Sequence, residues 1–348
     1  MKNKIILLLA LLIIISGTVY LISGFLKNSY QASKEVEPIV IGFSMGTTRE
    51  ERWFTDRDLF VKKAQELGAL VSVTLSDYDV DKQISQIEGL VKQGVDVIVV
   101  IPADSQKIAP AIKTAKEAGV KVIAYDRLIG DSDIDLYVSF DNVKVGQMEA
   151  QNILDIVDNG RFAYIGGSPD DHNSVLLKEG SMKVLADKIA SGDIKLVIDE
   201  PTPNWDPEEA YKTVKNYLNS GKKLDAVIAA NDGTASGVIK ALAEFNLDGK
   251  IPVSGQDAEL AALQRIVAGT QTCTVYKPIT DLANKAAELA VALARGLNPE
   301  TVNFTDNGKI QVPSYFLEPI VVTKNNLNDT VIKDGFHTYN EIYQTPLK

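Results

Sequence analysis

Ten short apolar runs, rich in β-branched residues, recur between Ile39 and Tyr276, and this rhythm constrains the fold more than any other feature of the chain. The runs are continuous rather than alternating, which is typical of strands buried on both faces of a parallel sheet. In order they read IVIGF, LVSVTL, VDVIVVI, VKVIAY, LYVSF, RFAYIG, IKLVID, DAVIAA, IPVSG and TCTVY. We therefore predict ten mostly parallel strands.

Amphipathic segments separate these runs. Their apolar residues step by three and four positions, which predicts helices with one buried face. The clearest sets are Phe60, Ala64 and Leu67; Ile84, Ile87 and Val91; and Ile108, Ile112 and Ala115. Gly68, Gly94 and Gly119 follow these sets, at positions where helices commonly end in a left-handed residue. Strands that alternate with helices predict an α/β architecture.

The cycle of strand and helix restarts at residues 141–147, after the fifth run, which favours two doubly wound parallel-sheet lobes. Ligands bind such lobes at the carboxyl ends of the strands. The residues that follow the runs are mostly polar or planar. They include Arg52, Trp53, Asp126, Arg127, Asp171, His172, Asn173, Trp205, Asn231, Asp232, Asp257 and Lys277.

The charges in this set balance, which bears on the class of ligand. The cations are Arg52, Arg127 and Lys277, and the carboxylates are Asp126, Asp171 and Asp257. A phosphate or dicarboxylate site needs a surplus of cations. A neutral sugar instead needs fixed donors and acceptors for its hydroxyls and a flat aromatic surface for its C–H faces. For any single residue, an ordinary polar loop or a packed tryptophan is the alternative interpretation.

Seven motifs in chain order then carry a resemblance to periplasmic-binding proteins of type I, over about residues 39–337 and closest to the members that bind D-xylose. They are REERW with DRD (49–58), AYDR (124–127), GGSP (166–169), AANDGTASG (229–237), GQDAEL (255–260), TVYKPI (274–279) and NDTVIKDGFH (328–337). The resemblance implies two lobes joined by a three-segment hinge that close on a monosaccharide. It implies an N-terminal lobe of residues 39–139 and 277–316 and a C-terminal lobe of residues 140–276 and 317–348.

The resemblance also implies roles for single residues. Arg52, Trp53, Asp126 and Arg127 would meet the sugar from the N-terminal lobe. Asp171, Asn173, Trp205, Asn231 and Asp257 would meet it from the C-terminal lobe, with Lys277 at a crossing. The loop with Asp170 and His172 departs from the pattern, because His172 stands where we expect an asparagine.

Residues 5–26 carry no charge, and Lys2, Lys4 and Lys27 flank them. At about 1.5 Å per residue such a helix crosses a bilayer. We expect a cytoplasmic N-terminus (1–4), an uncleaved single-pass anchor (5–26) and a polar stalk (27–38), with the bulk of the chain extracytoplasmic. A cleaved secretion signal and a core helix are the alternatives. The segment has no cysteine to carry a lipid.

Composition excludes several other functions. A net charge of −10 disfavours nucleic acid, and the N-terminal apolar segment replaces the DNA-binding domain of a sugar-responsive repressor. The lone Cys273, expected in the core, and two histidines are too few for a zinc site. No nucleotide loop or nucleophile motif is present. A glycosidase pair of Asp126 and Asp257 is disfavoured because Arg127 and Lys277 flank it. We expect no catalytic, metal or cofactor site.

The expected membrane anchor indicates which partner recognises the sugar-bound protein. A transport protein passes its ligand to an ABC permease, whereas a protein fixed by its own transmembrane helix is better suited to reporting a sugar. The sequence analysis therefore favours a xylose sensor for a membrane histidine kinase, with the ABC transporter component as the alternative.

Overall fold

The computed structural model describes residues 18–20, 22, 38–299 and 303–344. The strands are β1 (Val40–Met45), β2 (Leu70–Leu75), β3 (Val97–Ile101), β4 (Lys121–Tyr125), β5 (Leu136–Phe140), β6 (Gly160–Ile165), β7 (Ile194–Glu200), β8 (Ala226–Ala229), β9 (Thr274–Tyr276), β10 (Asn303–Asp306), β11 (Gln311–Leu317) and β12 (Ile320–Val322). The α-helices are α1 (Arg52–Glu66), α2 (Val80–Lys92), α3 (Ala109–Glu117), α4 (Asn142–Leu154), α5 (His172–Ser191), α6 (Pro207–Asn219), α7 (Asp232–Glu244), α8 (Leu260–Ala268), α9 (Ile279–Ala294) and α10 (Tyr339–Tyr343). A 3-10 turn at Pro203–Trp205 and a π-turn at Asn328–Ile332 complete them.

The largest sheet has seven strands in the order β10-β11-β5-β4-β3-β1-β2. Its strands are parallel except for the antiparallel pair β10 and β11. Central strands such as β3 are buried along their whole length because helices cover both faces. Helices α1 and α9 pack on one face, and α2 and α3 pack on the other.

The remaining strands form two smaller sheets. Strands β7, β6 and β8 are parallel, and α4 with α5 covers one face while α6 with α7 covers the other. Strands β12 and β9 pair antiparallel and pack with α8 and α10. The fully buried Cys273 lies next to β9, as expected for a core residue.

The chain passes between the large sheet and the smaller sheets at three places: β5 to α4, β9 to α9, and β11 to β12. We call residues 39–140 and 279–317 the large-sheet region, and residues 141–277 and 320–344 the small-sheet region. The lobe boundaries given in the sequence analysis stay a prediction.

The α/β alternation predicted from the sequence is confirmed. Nine of the ten predicted runs contain a strand. The three predicted helix ends are also correct, since Gly68, Gly94 and Gly119 all have a positive φ after α1, α2 and α3.

The ninth run, IPVSG, was wrongly predicted as a strand. Val253 makes only an isolated parallel bridge to Val227, and Pro252 offers no N–H for a continued ladder. Conversely, β10, β11 and β12 were not predicted. Strand β10 is short and exposed, and β11 contains Pro313, so neither shows the buried β-branched pattern.

Within the described residues, no helix is long and apolar enough to cross a membrane. Of the N-terminal predictions, residues 1–4 and most of residues 5–26 and 27–38 lie outside the described ranges.

Candidate functional site: a cavity between the two regions

One cavity of about 280 Å³ lies between the large-sheet and small-sheet regions, at the carboxyl ends of their strands. All ten residues to which the family resemblance gives a sugar-contacting role line it. They are Arg52, Trp53, Asp126, Arg127, Asp171, Asn173, Trp205, Asn231, Asp257 and Lys277. Glu50 and Gln256 line it as well. We call it the main cavity.

Arg52, in the first turn of α1, organises the wall contributed by the large-sheet region. Its guanidinium lies 3.0 Å from Asp56 and 2.9 Å from Asp126, and it reaches Asp257 of the small-sheet region at 3.4 Å. All four side chains are buried. A guanidinium presents its donors in a fixed fork, so these carboxylates hold it in one orientation.

Trp53 lies under this charged layer. The guanidinium carbons of Arg52 and Arg127 stand 4.6 Å and 5.3 Å from its ring centroid. Its indole N–H donates to Glu50, whose carboxylate also faces Arg127 at 3.6 Å. Burial raises the pKa of Glu50, although Arg127 opposes that shift. Trp53 therefore supports the cations of the wall through cation–π contacts.

Asp126 directly follows β4 and takes a left-handed conformation with φ of 61°, which aspartate tolerates better than most residues. The hydroxyls of Tyr137 and Ser139 donate to its carbonyl oxygen at 3.0 Å and 2.7 Å. Burial alone would raise the pKa of Asp126, but Arg52 and Lys277 outweigh burial and lower it. The carboxylate is therefore ionised and suited to accepting hydrogen bonds.

Helix N-termini position two side chains of the opposite wall. Asp171 caps α5 by accepting from the Asn173 N–H at 3.0 Å, and Asn231 caps α7 by accepting from the Thr234 N–H at 2.7 Å. The second oxygen of Asp171 accepts from Arg127 at 2.9 Å and from the Trp205 indole N–H at 3.1 Å. Capping fixes each side chain where the strand ends and the helix begins.

Trp205 presents the flat aromatic surface of this wall. Asn204 and Trp205 both have positive φ, 53° and 55°, and only 4% of the Trp205 surface is exposed. The indole lies against Gly167, where an added Cβ would stand 2.1 Å from the ring carbon Cη2. A glycine is therefore required at position 167 for the ring to keep its place.

Asp257 and Lys277 come from neighbouring chain segments. Asp257 has φ of 94°, and its N–H donates to the Val275 carbonyl at 2.9 Å. Lys277 follows β9 directly, is buried, and has its ammonium nitrogen 5.8 Å from the Phe140 ring centroid. Backbone strain of this kind is common at ligand sites.

Sequence reasoning missed Glu50 and Gln256. Glu50 lies between β1 and α1, in the same REERW motif as Arg52 and Trp53, so this motif is the signal that could have located it. Gln256 stands next to Asp257, and its buried side-chain oxygen has no hydrogen-bond partner among the described residues. That oxygen is available to a ligand hydroxyl.

Direct contacts between the two regions close the cleft in this structure. Asn173 donates to the carbonyl and carboxylate of Asp126, both at 3.2 Å. Outside the cavity, the Ser105 N–H donates to the Asp170 carbonyl at 2.9 Å, and the His172 N–H donates to the Ser105 hydroxyl at 3.2 Å. The departure at Asp170 and His172 thus lies at an inter-region contact, and neither residue lines the main cavity.

The chemistry of the main cavity is that of hydrogen bonding. Arg52 and Lys277 lower the pKa of Asp126, which favours the ionised form of this carboxylate over proton donation. Among the described residues, no group of three or more His, Cys, Asp or Glu could hold a metal ion.

Comparisons with known proteins also point to a binding site. Residues 41–298 match the family model described as periplasmic binding protein domain. The chain is 50% identical to the D-xylose-binding periplasmic protein of Escherichia coli (strain K12), over 92% of this chain and 96% of that protein. It is 34% identical to the multiple sugar-binding periplasmic receptor ChvE of Rhizobium radiobacter, over 92% and 96% of the two chains.

Among solved structures, the chain resembles a carbohydrate transporter solute binding protein from Chloroflexus aurantiacus, in complex with D-glucose. The TM-score is 0.82 at 31% identity, and the alignment covers 89% of this chain and 100% of that one. The predicted type I fold, α/β with mostly parallel sheets, is thereby confirmed.

Proposed function

Because the chain belongs to the periplasmic binding protein family, we propose that it is an extracytoplasmic protein that closes around a pyranose, with D-xylose as its ligand. It is a binding protein and not an enzyme, in line with its fold and relatives. The observation that carries the proposal is the convergence of ten sequence-predicted side chains on one closed cavity. The name of the 50% identical relative supports D-xylose in particular.

The cavity suits a neutral sugar in its charges and shape. The carboxylates of Asp126 and Asp171 each face a cation, at 2.9 Å in both cases, and the cavity lining has four carboxyl groups against three cations, so it offers no surplus of cations to an anionic ligand. Hydroxyl groups both donate and accept, and they match such alternating acceptors and donors. The Trp205 indole supplies the flat surface that the C–H face of a pyranose prefers.

Closure links binding to a partner. Arg52 to Asp257, Arg127 to Asp171, and Asn173 to Asp126 all cross between the regions. A sugar that contacts both walls binds the closed form preferentially and raises its population. We propose that two lobes, with the boundaries given by the sequence, move in this closure, and that a membrane partner recognises the closed surface.

For the partner, the favoured candidate is a sensor histidine kinase. Its support is the charge-free segment 5–26, which suits an uncleaved anchor, together with the lack of a lipid-carrying cysteine there. The relative from Rhizobium radiobacter is also described as a receptor. An ABC permease is the second candidate, since structural neighbours from Clostridium phytofermentans and Chloroflexus aurantiacus are named as transporter solute binding proteins.

Calorimetric titration of the full-length protein with D-xylose, D-glucose, D-ribose and L-arabinose tests the ligand. We expect D-xylose to bind most tightly. Absence of heat with every sugar would overturn the proposal. Lys113→Ala serves as control, because the Lys113 side chain is 74% exposed on α3 and lies outside the main cavity, so its replacement should leave sugar affinity within about threefold.

Affinity purification of the full-length protein from membranes, with and without D-xylose, tests the partner. Co-purification of a histidine kinase that depends on D-xylose supports the sensor. Recovery of a permease instead overturns it in favour of transport.

A further inference from the structure

A second cavity of about 290 Å³ adjoins the main cavity and shares two lining residues with it, Arg52 and Asp257. We call it the side cavity. Like the main cavity, it lies between the two regions: the beginning of α1 forms one side, and Glu259, Phe336 and His337 form the other. The side cavity is no smaller than the main cavity.

Arg52 and Asp257 line both cavities and contact each other where the cavities adjoin. Arg52 lies 3.4 Å from Asp257, compared with 2.9 Å from Asp126 and 3.0 Å from Asp56. Hydrogen bonds weaken as they lengthen, so the contact to Asp257 is the weakest of the three. The backbone at Asp257 and Ala258 has positive φ, 94° and 53°, which holds this carboxylate where the cavities adjoin. Separation of this pair leaves Arg52 with two carboxylates and joins the cavities.

The side cavity repeats the chemistry of the main cavity. Phe336 provides an aromatic surface that is half-buried and braced by Tyr276, with ring centroids 5.2 Å apart. Glu51 and Glu259 provide carboxyl groups, with the pKa of Glu259 raised well above its usual range by burial and by the nearby Asp232 and Asp257, and Thr55 provides a hydroxyl. Acceptors beside an aromatic face suit the hydroxyls and C–H groups of a sugar ring.

The side cavity also reaches the surface. Glu51 and Thr55 are exposed, whereas Arg52 and Asp257 are buried at its inner end. A substituent that leaves the main cavity past Arg52 and Asp257 therefore extends toward solvent and not into the protein core.

We propose that the side cavity binds the second ring of a β-linked disaccharide of pentopyranoses, while the first ring occupies the main cavity. The glycosidic bond then passes between Arg52 and Asp257. This inference rests on the proposed binding of D-xylose, and it extends the ligand class from the free pentose to short xylosides.

The test is calorimetric titration of the full-length protein with D-xylose and with xylose-free β-1,4-xylobiose. This disaccharide presents one ring substituted at C1 and one substituted at C4, so it tests both directions of exit. We expect xylobiose to bind with a dissociation constant within about tenfold of that of D-xylose, a difference of about 1.4 kcal/mol.

Thr55→Trp fills the mouth of the side cavity without touching the main cavity, and Thr55→Ser is its matched control. For Thr55→Trp we expect the dissociation constant of xylobiose to rise at least about tenfold, because an overfilled pocket rejects its ligand. The constant for D-xylose should change less than about twofold. Thr55→Ser should bind both sugars as the unmodified protein does.

The outcomes separate the two proposals. Binding of D-xylose without xylobiose overturns this inference and leaves the proposed function standing, whereas loss of both in the unmodified protein overturns the proposed function. Unchanged xylobiose binding by Thr55→Trp also overturns the inference. If Thr55→Trp fails to fold, Glu51→Trp at the same mouth replaces it, with the same expected selective loss.

Discussion

On the large-sheet wall of the main cavity, ionic side chains hold one another. Arg52 contacts Asp56 and Asp126 within 3.0 Å, and the Tyr125 hydroxyl also donates to Asp56. On the small-sheet wall, the backbone holds the side chains. Asp171 and Asn231 are helix caps there, and the backbone at Asn204 and Trp205 has positive φ. Loss of a charge should therefore disturb the structure of the large-sheet wall most, whereas altered backbone or packing geometry should disturb that of the small-sheet wall.

Arg52→Ala tests the ionic wall and should have the largest effect. It leaves the buried carboxylates of Asp56, Asp126 and Asp257 without their shared cation. Breaking a buried ion pair by removing one partner costs about 3–5 kcal/mol. We expect the free energy of unfolding in urea to fall by that amount and sugar binding to be lost.

Arg49→Ala is the matched control for this loss. Arg49 pairs with Asp206 at 3.2 Å, but both side chains are more than a third exposed, at 38% and 39%. Exposed pairs contribute about 1 kcal/mol or less. Equal destabilisation by Arg49→Ala and Arg52→Ala would show that the ionic wall has no special role in stability.

Gly167→Ala tests the geometric wall. The added Cβ would lie 2.1 Å from the Trp205 ring and 2.4 Å from the Ser174 hydroxyl oxygen. Overpacking of this kind costs about 1–3 kcal/mol, and it displaces the ring, so the unfolding free energy and sugar affinity should both fall. Gly89→Ala, which meets no atom within 4 Å in α2, should stabilise the protein by about 0.5–1 kcal/mol. A neutral Gly167→Ala would contradict the geometric account.

Trp205→Ala removes the aromatic surface while leaving the ionic wall intact. We expect the dissociation constant for D-xylose to rise at least about tenfold, since aromatic contacts contribute about 1 kcal/mol or more beyond burial. Trp205→Phe keeps a flat ring and loses only the bond to Asp171, so its effect in the same titration should be smaller. An unchanged affinity for Trp205→Ala would remove Trp205 from the site.

The sequence indicated both walls but not how each is held. Residues after buried strands converge because parallel strands end at one edge, so Asp126, Asp171 and Asn231 could be located from periodicity alone. Periodicity does not tell which post-strand side chain faces the cavity. Asp232 follows Asn231 yet points away from the cavity, accepting from Gln271 at 2.7 Å and from Thr274 at 2.8 Å.

The ionic network itself could not be predicted. Arg52 meets carboxylates from positions 56, 126 and 257, and only the first of these is its neighbour on the same helix. The other two pairings depend on the packing of α1 against the sheet and on closure of the cleft. Strands β10 to β12 were missed for a related reason, since their pairing partners, and not their composition, make them strands.

His337→Gln should give the smallest effect, and it tests how the stability of the small-sheet region depends on pH. Both histidines of the chain, His172 and His337, belong to the small-sheet region. Burial lowers the pKa of His337 below its usual 6.5, although Glu51 and Glu341 oppose the shift. As the pH falls through 6.5, the unfolded chain takes up a proton at this residue before the folded protein does, so the free energy of unfolding decreases. Between about pH 7.5 and pH 5.5, urea unfolding of the unmodified protein should therefore lose more stability than that of His337→Gln. Identical losses would show that His337 protonates equally in both states, and that the pH response of the small-sheet region must come from other groups.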